Sequence, residues 1–210
     1  MSNGSKWKYV GGELCLDFTN TVGGRFVERE KDSMAFTFRE EKLGSYEDLV
    51  GWSREAGALK RSDAKRLLLL APQKNKEAKM VFRRAVTLRE SLFKVIKHVI
   101  EGWEPLITDV DVLNQECALA RDRQRLVYTG RKFMWAHPGD DDALDCLIWP
   151  IALSGSELLS SEKLVRVRQC PGPDCGWLFV DTSKNQSRQW CDMKDCGNLA
   201  KVRRYRERQK

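Results

Sequence analysis

The chain has 210 residues, enough to bury one hydrophobic core and carry a small appendage. An apolar fraction of 41% argues against wholesale disorder, and with a mean hydropathy of -0.52 no apolar run approaches the roughly 18 residues of a membrane-spanning helix. The net charge of +7 is uneven: residues 1–162 hold 25 Lys and Arg against 25 Asp and Glu, whereas residues 163–210 hold 12 against 5, so a polyanionic partner is expected for the last quarter alone.

Residues 13–22 are apolar and short, fitting a strand or a helical turn. Residues 23–42 are charged and lack periodicity, which predicts a loop. Ser45 with Asp48 forms a capping box ahead of an apolar face of Leu49, Trp52 and Ala56. A second helix is expected from Ser62 to Leu70, ended by Pro72. Val81, Ala85, Leu88, Leu92, Val95, Ile96 and Val99 follow a 3.6-residue period and predict a long helix over 75–101. Thr108 with Asp111 is expected to cap the next helix, through Leu113, Cys117 and Ala120.

Residues 126–128 and 133–135 flank a Gly-containing turn and predict a β-hairpin. The acidic run 140–142 suits a helix start, and the helix carrying Leu144, Leu147, Ile148, Ile151 and Leu158 should kink or break at Pro150. Residues 160–163 suggest a linker, and Val165 and Val167 a strand leading into Cys170.

The opening residues carry no apolar signal core, so a cytoplasmic setting is expected, where clustered cysteines bind metal more often than they pair. Of seven cysteines, Cys170, Cys175, Cys191 and Cys196 lie within 27 residues as two x4 pairs joined by a longer loop. Two tight turns presenting four thiolates suit tetrahedral Zn²⁺, and with every position filled the ion would be structural, not hydrolytic. Trp177, Phe179 and Trp190 add bulk to a segment too small to fold unaided. Losing a ligand should therefore unfold the tail and spare the larger domain.

After Cys196, the residues Lys201, Arg203, Arg204, Arg206 and Arg208 are opposed only by Glu207. On a helix Leu199, Val202 and Tyr205 share one side, so an amphipathic helix docked on the zinc module is expected, with Lys201, Arg204 and Arg208 outward. Basic side chains one turn apart can meet successive phosphates. Arg188, Lys194, Asn198, Arg203 and Arg206 complete the candidate nucleic-acid surface.

The cysteine spacing, Phe179-Val180-Asp181, Ser187 to Cys191, and Cys196-Gly197-Asn198 with its basic continuation together resemble the CGNR zinc finger. Residues 14–21, 88–90 and 152–159 resemble its usual companion, the ABATE domain. The resemblance implies a bacterial transcription regulator whose larger domain senses a stress or small molecule. One departure stands out: Leu199 occupies the place of the signature's Arg. Gly197 is retained, as expected of a tight turn beside a metal.

Elsewhere, His98 and His137 lack a second ligand or nucleophile at a useful spacing. Asp17, Asn20 and Arg89, polar residues inside apolar stretches, either line an effector pocket or bond within the protein. The expected architecture is a mainly α amino-terminal domain with a small β-hairpin (1–162) and a treble-clef-like zinc finger of hairpin and helix (163–210). The expected function is non-enzymatic regulation through duplex DNA, with a small-molecule effector and a homodimer as further partners. Two alternatives are an RNA-binding zinc module, stacking bases on Trp177, Phe179 and Tyr205, and a small-molecule enzyme with zinc as a structural clip.

Overall fold

A computed structural model describes residues 5–30, 33–137 and 142–209. Helix α1 (Leu14–Thr19) leads into strands β1 (Val22–Glu30) and β2 (Ser33–Glu41), then α2 (Tyr46–Glu55), α3 (Arg61–Leu70), α4 (Asn75–Ile100) and α5 (Ile107–Arg123). Strands β3 (Arg125–Tyr128) and β4 (Phe133–Ala136) form a hairpin before α6 (Trp149–Leu159). Strands β5 (Val167–Gln169) and β6 (Leu178–Val180) and helix α7 (Asn198–Glu207) complete the chain. All three two-stranded sheets are antiparallel. No helix among the described residues is long and apolar enough to cross a membrane.

The predicted helices sit where their signals placed them. Ser45 accepts from the Asp48 amide at 3.2 Å, and Leu49 and Trp52 are buried. Helix α4 is the central rod: Leu88, Leu92, Phe93 and Ile96 have no exposed surface and meet α1, α5 and α6. Two helix starts differ from expectation. Helix α5 begins at Ile107 without a side-chain cap, because Asp109, not Thr108, makes the useful bond, accepting from Ser91 of α4 at 2.9 Å. Helix α6 begins only at Trp149 with Pro150 in its first turn, where a missing amide costs nothing, so of the kink and the break the chain takes the break, with Leu144, Leu147 and Ile148 in turns ahead of it. Of the acidic run, residues 140 and 141 lie outside the described residues.

The largest correction falls on residues 23–42: of these, 23–30 and 33–41 lie in the paired antiparallel strands β1 and β2, not in a loop. The pair's inner face hides its character because it carries a buried arginine. Arg25 lies 4.0 Å from the Phe93 ring centre and pairs with Glu90 at 2.8 Å, while Phe36 meets Phe93 edge-on. An alternation with a cation on the apolar side gives no period-2 hydropathy signal. Nor are residues 160–163 a plain linker: Ser161 caps a 3-10 helix (Glu162–Arg166) that takes up Val165, and the strand starts only at Val167.

Candidate metal centre and basic helix

Strand β5 runs into Cys170, whose amide donates to the Trp177 carbonyl at 2.8 Å; the Cys175 amide bonds the Gly172 carbonyl at 2.9 Å and closes the first turn. Gly176 follows at φ +66°, and a Cβ there would collide with the Arg25 carbonyl, so the turn requires glycine for both reasons. The second turn carries Cys191, then a widened helical turn (Met193–Gly197) containing Cys196, whose start is capped by Asp192. Gly197 sits at φ -65°, an ordinary helical value. It is not needed for a left-handed turn; a Cβ there would lie 2.5 Å from the sulfur of the half-exposed Met193 side chain, which would have to move aside.

The four Sγ atoms lie within 4.8 Å of one another, with 3.4 Å between Cys175 and Cys191 and 3.7 Å between Cys191 and Cys196. A tetrahedron of about 2.3 Å metal–sulfur bonds has edges of about 3.8 Å, so the set fits a four-thiolate metal centre and forms a metal-binding group. Its electrostatics call for a cation. Hydrogen bonding from Cys175 and Cys191 favours one thiolate at Cys170, and that thiolate in turn pushes the Cys175 and Cys191 thiols up; burial raises Cys196. Four thiolates can coexist here only around a positive ion.

Strand β6 is the wall between this centre and the helical domain. Leu178 and Val180 point into the main core, together with Val167, while Phe179 faces the cluster of cysteines with Trp177 and Trp190. Backbone and side-chain bonds continue the joint. Asn20 donates to the Leu178 carbonyl at 2.8 Å and accepts from its amide at 3.0 Å. Trp177 Nε1 donates to the Val22 carbonyl at 2.6 Å, the Arg25 amide to the Cys175 carbonyl at 2.9 Å, and the Val180 amide to the Gly11 carbonyl at 2.8 Å. The finger is therefore built onto the β1–β2 hairpin.

Arg188 is half-buried and spends its donors inside the protein. Its guanidinium donates to the carbonyls of Val10, Val180, Trp190 and Cys191 and stacks 4.4 Å from the Phe179 ring centre. Asp181, fully covered, accepts from Ser183 and from the Arg188 amide, so the two residues fix the loop between the cysteine pairs. Their place in the motif is explained by scaffolding.

The other candidates for a nucleic-acid surface come together on α7 and the turn before it. Lys194, Lys201, Arg204, Arg206 and Arg208 are exposed; Arg203 is half exposed, 3.6 Å from Asp174; Asn198 spends its amide on the Lys194 carbonyl at 2.9 Å. The expected docking of the apolar side does not occur. Leu199, Val202 and Tyr205 are 62%, 46% and 63% exposed, and no residue of α7 is buried. The helix is anchored by Cys196 in the turn immediately before it and leads away from the metal centre. A groove of about 320 Å³ runs along its base, between Pro173, Trp190, Leu199, Arg203 and Arg204.

The proposed effector residues do not meet in a pocket. Arg89 has no exposed surface and pairs with Glu41 at 2.6 Å and Glu90 at 2.8 Å; Asn20 is spent on Leu178; Asp17 accepts from the Gly11 amide at 2.8 Å, and burial pushes its carboxyl up to about 6. What sequence reasoning missed is Arg25, the second buried arginine. Its signal was weak: a single cation directly after Gly23-Gly24 and before Phe26-Val27, in a stretch with no periodicity. Burial opposes ionisation of Glu90, but Arg25 and Arg89 together hold its carboxyl below the usual range. His98 is packed, with Nδ1 2.7 Å from the Lys94 carbonyl.

A family model described as "Putative stress-induced transcription regulator" (ABATE) matches residues 12–162, and a CGNR zinc finger model matches residues 166–209. No curated protein matches the chain.

Proposed function

Because the chain belongs to the ABATE family and carries a CGNR zinc finger, we propose that it is a transcription regulator that grips duplex DNA with helix α7. The observation that carries the reading is a helix buried on no side, anchored in the turn immediately before it by a four-cysteine centre and ringed by Lys201, Arg203, Arg204, Arg206 and Arg208. A major groove about 12 Å wide admits an α-helix with both flanks in contact, and such a helix needs no docked face of its own. Zinc is the ion that four thiolates in this geometry best suit, and its role is to fix the start of α7. Leu199, standing where the signature has Arg, then meets the DNA as an apolar contact or sits over the sugar-phosphate edge, and the neighbouring arginines carry the charge.

The stacking alternative for RNA loses two of its three aromatics, since Trp177 and Phe179 are buried and only Tyr205 is open. The reading assigns the chain no reaction: a small-molecule enzyme would need a polar pocket, and Asp17 and Arg89, the polar candidates, are engaged in internal bonds. A signal received by the helical domain would reach α7 through the β1–β2 hairpin, which is bonded to Cys175 and Trp177. The test is equilibrium binding of the zinc-loaded chain to duplex DNA across a salt series. Affinity should fall steeply with salt, and Arg204→Ala should reduce the log–log slope by about one. Flat salt dependence, or undiminished binding after replacing Lys201, Arg204 and Arg208 by Ala, would count against it.

A further inference from the structure

The β3–β4 hairpin has no part in the site above. Its register pairs Leu126 with Trp135 and Tyr128 with Phe133. Side chains alternate across a strand, and directly paired residues share a face, so these four stand together on one side of the ribbon. They are 55%, 65%, 60% and 64% exposed, and the Tyr128 and Phe133 rings touch at 5.2 Å. The ribbon is a separate two-stranded sheet, with no further strand along either edge among the described residues. A two-stranded hairpin alone is marginal in water, and a contiguous aromatic face of this kind marks a surface that is covered in the working protein.

We propose that this face is the contact between two copies of the chain, packed aromatic face to aromatic face about a two-fold axis. Its chemistry is self-complementary: none of the four residues is charged, so each copy offers the other what it needs. Cations lie off the face. Arg125, on the opposite side of the ribbon, donates to the carbonyls of Asp122 and Gln124 at 2.6 and 2.8 Å. Arg131 and Lys132 belong to the turn, where the Thr129 amide bonds the Lys132 carbonyl at 3.0 Å. In a two-fold arrangement with the ribbons antiparallel, the two basic turns fall at opposite ends and do not repel. The area fits a weak, reversible dimer. With about 150–250 Å² per aromatic side chain, the exposed parts of the four residues come to roughly 450 Å² per copy. The pair thus buries about 900 Å² before any surrounding surface is counted, just under the roughly 1,000 Å² of a persistent interface and in the range of a weak, concentration-dependent dimer. A stacking platform for nucleic acid is less well served, because it needs cations among the rings.

The experiment is sedimentation equilibrium on the full-length, zinc-loaded chain without nucleic acid, up to on the order of 100 μM. The average mass should climb toward twice that of the monomer, and amides 126–135 should exchange more slowly at high concentration than at low. Trp135→Lys and, separately, Tyr128→Lys should each weaken association at least tenfold while zinc content and helical signal stay unchanged. A chain that remains monomeric with concentration-independent exchange overturns the proposal. So does association that both variants leave intact. If the wild type stays monomeric and the variants instead lose affinity for a single-stranded oligonucleotide, the face belongs to nucleic acid and the proposal fails. None of these results depends on α7 binding DNA.

Discussion

The two cysteine pairs of the finger are ordered by different means. The first, Cys170 and Cys175, sits on β5 and β6, which share the core of the helical domain through Val167, Leu178 and Val180 and are tied to it by Asn20, Val22, Arg25 and Gly11. The second, Cys191 and Cys196, meets the rest of the protein through the packing of Cys191 beside Phe179 and Trp177, the carbonyl bonds of Arg188, and the Lys8–Asp195 and Arg203–Asp174 ion pairs, which are exposed and therefore weak. The first half would keep its shape on apolar burial alone; the second has the metal. The difference teaches that the ion need not fold the whole finger. It joins a free half, carrying α7, to a half that is already part of the domain.

Metal removal tests this most severely. Chelation, or Cys196→Ser, should melt residues 191–207 and lower DNA affinity at least a hundredfold, since about 10 kcal/mol of ordering energy comes from such a centre. Amide exchange should show residues 167–180 still protected. Joint loss of protection in both halves would erase the distinction and restore the simpler expectation of a tail that unfolds as one piece.

Next in size is the ion network behind the hairpin. Glu90→Gln leaves Arg25 and Arg89 buried with their shared carboxylate neutralised and should cost about 3 kcal/mol in urea unfolding. Because the Glu90 carboxyl is held below its usual range, its contribution is present above the unfolded value and is lost as pH falls through the folded one. A smaller pair of changes separates the halves. Asn20→Ala strands the Leu178 amide and carbonyl and should cost about 2 kcal/mol of global stability with little change in metal affinity. Arg188→Ala should do the reverse, weakening metal binding by about tenfold or more while the helical domain holds.

An effect similar in size to that of Asn20→Ala, but visible in the pH profile, concerns Asp17, in the segment facing Gly11. Its carboxyl, pushed up to about 6 by burial, binds a proton more tightly folded than unfolded, so wild-type stability declines as pH rises from about 4 to about 6. Asp17→Asn keeps an acceptor for the Gly11 amide and should be more stable at pH 7 by about 2 kcal/mol, with a flatter profile. An unchanged profile would show that another group governs that pH range.

The metal ligands, the long helix α4, the Ser45 cap and the β3–β4 hairpin were all legible, because each depends on residues close in sequence: a spacing, a period, a capping pair, a turn. The site was legible in its ligands and in its charge, but not in its posture. Leu199, Val202 and Tyr205 form an apolar stripe on paper, and only the fold reveals that about half or more of each stays open. Arg188 reads as one more cation until the loop brings four carbonyls to it from Val10, Val180, Trp190 and Cys191.

The sequence alone determined which residues could hold a metal and where the positive charge would gather, since ligand spacing and net charge are properties of a short stretch of chain. Tertiary structure decided which arginines are buried and which reach solvent, and that β6 serves two cores at once. Those outcomes rest on contacts such as Asn20 with Leu178 and Arg25 with Glu90, between residues 158 and 65 positions apart, where no local pattern records the partner.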